Sequence, residues 1–195
     1  MKATITIALI LATVTGCTHT DSDAIPTFNA NENWAGKDSP VLTWNPHQRQ
    51  ALLDAYAPLT HDILTDAGLT TTPPPNATAV DALQRAQAIG DSVPRPVREL
   101  TLLTTAQAHT GITPTPTTEA AMLDTAWNTC TKLTNGETYA QLAYNAAANY
   151  DPTHPDTTSQ NTLAATLYAP IICPTHTTDA LTTIAGIDGI DSLTD

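Results

Sequence analysis

Proline sets the strongest constraint on what this chain can fold into. It has no backbone N–H and a fixed φ, so it breaks helix interiors and sheet ladders alike. The 195 residues include 15 prolines. They are clustered, leaving Pro-free blocks at 76–93, 97–113, 117–151 and 156–169. The blocks carry helical signals, none shows strict alternation, and Val and Ile are sparse, so helices are predicted and strands are poorly supported. The fold class read from this pattern is all-α.

Residues 24–44 read as irregular, with Trp34 and Trp44 as large groups. A helix is predicted to start at Pro46 with Asn45 as its N-cap. Leu52, Leu53, Tyr56, Leu59, Ile63 and Leu64 give it one apolar stripe. Pro58 should kink or split that stripe, and Gly68 ends it. Residues 70–76 read as a polyproline-like connector. Further helices are expected over about 77–90 (Val80, Leu83, Ile89) and from Pro96 to His109 (Val97, Leu100, Leu103), with Gly111 as a stop signal. After an extended linker at 112–117, Thr117 or Thr118 should cap a helix bearing Met122, Leu123, Ala126, Trp127, Cys130 and Leu133, closed by Asn135-Gly136. A short helix follows with Tyr139, Leu142, Ala143 and Ala146. Another spans about 156–172 and ends at Cys173-Pro174. In the tail, Gly186 and Gly189 limit any helix around Leu181 and Ile184.

Charge excludes several functions. Seven Lys plus Arg face 19 Asp plus Glu, for a net charge of −12. Such a chain has no electrostatic footprint for nucleic acid or for anionic headgroups. Only 13% of residues are charged and 5% aromatic, and polarity comes largely from Thr, with 38 copies. Hydrophobic content of 41% is too high for a wholly disordered chain.

The first residues read as an address. Met1-Lys2 precedes an apolar run from Ala3 to Val14, broken only by Thr4, Thr6 and Thr13. One positive charge followed by about 12 mostly apolar residues is a secretory signal, too short to span a bilayer as a mature helix. The run ends in Val14-Thr15-Gly16-Cys17, which resembles the bacterial lipobox. The resemblance implies cleavage before Cys17, a diacylglycerol on its sulfur, an acyl chain such as palmitate on its amine, and stable anchoring by more than one chain. Residues 18–23 would be a tether. The expected location is the extracytoplasmic face of the cell membrane, held by lipid on Cys17.

With Cys17 taken, two cysteines remain, Cys130 and Cys173, and two allow one pairing. An exported protein meets an oxidising compartment, where disulfides persist. A redox pair would show C-x-x-C spacing and a zinc site four ligands, and neither pattern is present. The expectation is a structural disulfide, Cys130–Cys173. The fold then reads as a small helical bundle with one disulfide, preceded by a signal peptide and a flexible tether. The organisation is a signal peptide (1–16), a tether and irregular segment (17–44), a helical region (45–111), a disulfide-stapled helical domain (112–176) and a tail (177–195).

Residues from about 106 to 176 resemble the small two-cysteine helical domain of unknown function found in secreted proteins and lipoproteins of mycobacteria, corynebacteria and relatives. Gly111-Ile112, the mid-helix Trp127-Asn128-Thr129-Cys130, the turn Asn135-Gly136 and the final Tyr168 to Cys173-Pro174 carry the likeness. The chain departs from it by placing Pro170 inside the last helix and four residues between Tyr168 and Cys173. The resemblance implies an all-helical extracytoplasmic module and brings no catalytic residues.

Candidate chemistry is thin. His61 and Asp62, with Asp66, lie near one helical face, but no second His sits four residues on as a zinc helix requires. Asp151, His154 and Asp156 crowd one loop that Pro152 and Pro155 mark as a stiff turn. No Ser lies in a G-x-S-x-G elbow or an S-x-x-K motif, and no phosphate loop or dinucleotide fingerprint occurs. Arg85, Arg95 and Arg98 offer an anion or partner site, against the plainer reading of helix-end capping. Trp34 and Trp44 offer a carbohydrate platform, against docking of the N-terminal segment onto the helices. The Thr-Pro stretches at 70–75 and 113–118 read as spacers, with their O-glycosylation left open by the sequence, and the sequon Asn76-Ala77-Thr78 reads as chance. No catalytic residue, metal or cofactor is expected. The expected partners are the membrane through Cys17 and an envelope protein or lipid, with no nucleic acid. The leading function is a non-enzymatic envelope binding or interaction module. The alternatives are an envelope hydrolase with dispersed catalytic residues and a structural surface lipoprotein.

Overall fold

The computed structural model describes residues 25, 27–28, 34–72, 78–111, 115–150 and 157–191. Among them are seven α-helices and no strand: α1 (Pro46–Asp66), α2 (Ala79–Ile89), α3 (Arg95–Thr110), α4 (Pro116–Thr134), α5 (Tyr139–Ala148), α6 (Thr157–Tyr168) and α7 (Thr177–Asp191). Single 3-10 turns at Gly36–Asp38 and Pro40–Thr43 lead into α1, and two more at Ala169–Ile171 and Pro174–His176 join α6 to α7. The all-α class is as the proline pattern predicts.

The helix starts follow local chemistry. Asn45 accepts from the Gln48 N–H while the Gln48 side chain accepts from the Asn45 N–H, a reciprocal cap ahead of Pro46. Thr78 and Asp81 do the same for α2, and the bonds from Thr78 hold the Asp81 carboxyl below its ordinary pKa. At α4 the cap is Thr115, with Pro116 in the first turn, rather than Thr117 or Thr118. Thr is poorly suited to helix interiors unless its hydroxyl finds a partner. Here Thr60, Thr101, Thr129, Thr131 and Thr134 each donate to the carbonyl four residues back.

Three local expectations are corrected. Pro58 does not split α1, which runs unbroken through it. Pro58 cannot donate to the Asp54 carbonyl, but both residues are exposed, so water can serve that carbonyl. The α1 stripe is also narrower than expected: Leu52 and Leu64 are buried, whereas Leu59 is 40% exposed. The segment after Cys173-Pro174 is a regular helix, α7, that continues through Gly186 and Gly189. Its first turns pack against α2 and α5 with Ala180 fully buried.

The main core takes Val41 and Trp44 from the N-terminal segment, Leu52 from α1, Ala86 from α2, Leu100 to Ala106 from α3, Met122 to Cys130 from α4, and Ala164 to Tyr168 from α6. One apolar cluster therefore draws on residues from both sides of position 111. Helix α6 lies at its centre, against α3, α4 and α5. A smaller cluster of Leu83, Leu133, Tyr139, Leu142 and Ala180 sits under α7. The expected disulfide is present: Cys130 in α4 bonds Cys173 between the last two 3-10 turns, with a Cα–Cα distance of 5.9 Å.

Candidate functional site

The densest polar constellation among the described residues surrounds Glu99, which is fully buried on α3. Arg95 sits one turn earlier and donates from Nε to Glu99 Oε1 at 2.8 Å. The Trp127 indole N–H of α4 donates to the same oxygen at 2.8 Å. From the N-terminal segment, the Trp34 indole N–H donates to Oε1 at 3.1 Å and the Ser39 hydroxyl donates to Oε2 at 2.5 Å. Four donors thus meet one carboxylate. The Arg95 guanidinium lies between two rings, 4.3 Å from the Trp34 centroid and 3.8 Å from that of Trp127. It also donates from Nη2 to the Trp34 carbonyl at 2.6 Å.

A buried charge is tolerated when it is paired and its remaining lone pairs are hydrogen-bonded, and Glu99 meets both conditions internally. The cluster therefore holds structure together and presents no free acid. It also fixes the approach of the N-terminal segment. Gly36 lies so close to α4 that an added Cβ would fall 2.4 Å from the Leu123 carbonyl carbon.

Arg85, Arg95 and Arg98 do not form a joint anion site. Arg95 is committed to Glu99, Arg98 donates to Asp91 and to the Ile172 carbonyl, and Arg85 donates to the Thr70 carbonyl. Burial lowers the Arg98 pKa, opposed by Asp91. A second, half-buried ion pair, Arg49 with Glu119, is bidentate at 2.6 and 2.7 Å and ties α1 to α4. Trp34 and Trp44 do not form an open platform either. Trp44 is 9% exposed within the core, with Phe28 tilted against it, and one face of Trp34 is occupied by Arg95.

His61 and Asp62 are both exposed, and no group of three His, Cys, Asp or Glu among the described residues could hold a metal ion. Asp151, His154 and Asp156 lie outside the described residues, as do Cys17, the rest of residues 1–24, and the sequon residues Asn76 and Ala77. No described helix is long and apolar enough to cross a membrane.

Clefts open on the surface of the described residues, and two are large enough to note. One, of about 260 Å³, lies between the end of α3 and α6, where Tyr150, Gln160, Leu163 and Tyr168 mix polar and apolar lining. Burial raises the Tyr168 phenol pKa. The other, of about 440 Å³, is a shallow trough between the end of α1 and α2, lined by Leu69, Gln84 and Gln87. Neither cleft brings His, Asp or Glu side chains together.

The sequence singled out Arg95, Trp34 and Trp127 but not Glu99 or Ser39. A Glu four residues after an Arg reads as an exposed helix-surface pair. Its burial depends on indoles 65 residues before it and 28 after it. No protein-family model, curated protein or solved structure matches the chain.

Proposed function

We propose that this chain is a lipid-anchored extracytoplasmic helical module that acts by binding within the cell envelope rather than by catalysis. The observation that carries the reading is the division of its three cysteines. Cys17 ends a lipobox-like Val14-Thr15-Gly16-Cys17, and the other two are joined as Cys130–Cys173. A disulfide of this kind suits an oxidising compartment outside the cytosol. The internal commitment of Glu99, Arg95, Arg49 and Glu119 agrees with a binding body, because these charges are spent on holding helices together. On the same reading, residues 106–176 are a version of the actinobacterial two-cysteine helical domain, supported by Trp127-Asn128-Thr129-Cys130 and Cys173-Pro174.

Fractionation of cells carrying the full chain, compared with Cys17→Ser, tests the anchor. Crosslinking in intact cells tests the binding role. The wild type should partition with membranes into the detergent phase, Cys17→Ser should leave it, and crosslinks should recover one envelope partner reproducibly. Identical soluble partition of both proteins contradicts the reading.

A further inference from the structure

The N-terminal segment is held in two different ways along its length. From Val41 onward it is fixed by apolar burial, with Val41 fully buried and Trp44 9% exposed in the main core. Phe28 packs on Trp44 at the core's edge, but within 34–39 Ala35, Lys37 and Asp38 are exposed and no aliphatic side chain enters the core. Residues 34–39 are held by the close backbone approach of Gly36 to α4, by Ser39 accepting from the Val41 N–H, and by polar contacts that converge on one pair. Trp34 and Ser39 donate to Glu99, Arg95 donates to the Trp34 carbonyl, and the Arg95 guanidinium covers the Trp34 ring. The backbone bonds Asp38 N–H to Ala35 and Ser39 N–H to Gly36 lie within the segment itself.

We propose that Trp34–Ser39 is a latch that opens as one unit, with Pro40–Trp44 as its fixed base, while the seven-helix body stays folded. The pair that the latch covers tolerates its departure. Glu99 keeps Arg95 and Trp127 as donors at 2.8 Å each, and Arg95 keeps the Trp127 ring at 3.8 Å. Opening therefore orphans no buried charge: water takes the positions left by the Trp34 and Ser39 donors, and rehydration of a buried ion pair offsets much of the lost contact. A segment with few buried apolar contacts belongs to the low-stability end of local opening. The seat it uncovers lies between α3 and α4, walled by Arg95, Trp127 and the α4 backbone at Leu123, where only a glycine fits. Opening holds with or without an acyl group on Cys17.

Hydrogen exchange read by mass spectrometry on the full chain, for the wild type, Ser39→Ala and Glu99→Gln, tests the latch. In the wild type, the Asp38 and Ser39 amides should exchange on the order of 100-fold faster than the core amides of α3 and α4, as a sub-global unit does. Ser39→Ala should raise latch exchange about 3-fold or more with α3 and α4 unchanged, as loss of one bond to a buried carboxylate predicts, whereas Glu99→Gln, which leaves Arg95 unpaired between α3 and α4, should raise latch exchange about 10-fold or more and quicken α3 as well. Exchange of latch, α3 and α4 at one common rate overturns the proposal. So does a Ser39→Ala variant that speeds all three by the same factor. If Glu99→Gln does not fold, the Ser39→Ala comparison decides alone.

Discussion

Cys130, 5% exposed in the body of α4, is bonded to Cys173 beyond the end of α6. The bond closes a separation of 43 residues and pins the turn after α6 against the helix that α6 packs on.

Replacing both cysteines, Cys130→Ala with Cys173→Ala, should lower unfolding free energy by about 2–4 kcal/mol, since chain entropy alone gives ~4 kcal/mol for a loop of this size. Urea titration of the oxidised wild type and the double variant measures it. Superimposable curves would show that the bond does not stabilise the fold.

Gly36→Ala should displace the N-terminal segment. Its Cβ would meet the Leu123 carbonyl carbon and oxygen at 2.4 Å, and these are backbone atoms that no rotamer change can move. Overpacking of this kind costs about 1–3 kcal/mol. Lys37 next to it is exposed, so tryptic cleavage after Lys37 should accelerate in the variant. Unchanged cleavage and stability would mean that the close approach is relieved elsewhere.

Leu52→Ala in α1 and Leu123→Ala in α4 remove fully buried side chains from the same core. Each should cost about 2–5 kcal/mol and shift one shared unfolding transition. Calorimetry that resolves two transitions, each moved by only one variant, would show that the two regions melt separately.

Burial pushes the Tyr139 phenol up, and its hydroxyl donates to the Leu167 carbonyl at 2.9 Å. Because the folded pKa exceeds the unfolded one, stability from this group is complete below the unfolded value. It is lost as pH rises above about 10, where unfolded Tyr ionises. Thermal melts at increasing alkaline pH should fall less steeply for Tyr139→Phe than for the wild type, with a residual slope from Tyr168, raised by the same cause. Parallel slopes would contradict the assignment.

The helices were legible because their signals are local. Asn45-Pro46 caps α1, Asn135-Gly136 closes α4 with Gly136 at φ 95, and the stripe from Met122 to Leu133 faces the core. The cysteine pairing was legible from their number. What the sequence hid depends on contacts between distant residues. Glu99 is buried only because Trp34, Ser39 and Trp127 converge on it. Pro58 is tolerated because it lies on an exposed helix face. Tryptophan docking was readable at Trp34 and Trp44, but not the carboxylate to which Trp34 docks.

The central claim, a body held to the membrane by lipid on Cys17, is tested most directly by mass spectrometry of the N-terminal peptide from purified membranes. The account predicts a peptide beginning at Cys17 and carrying a diacylglycerol on its sulfur. A mature N-terminus at any other residue, or an unmodified Cys17 thiol, would contradict it.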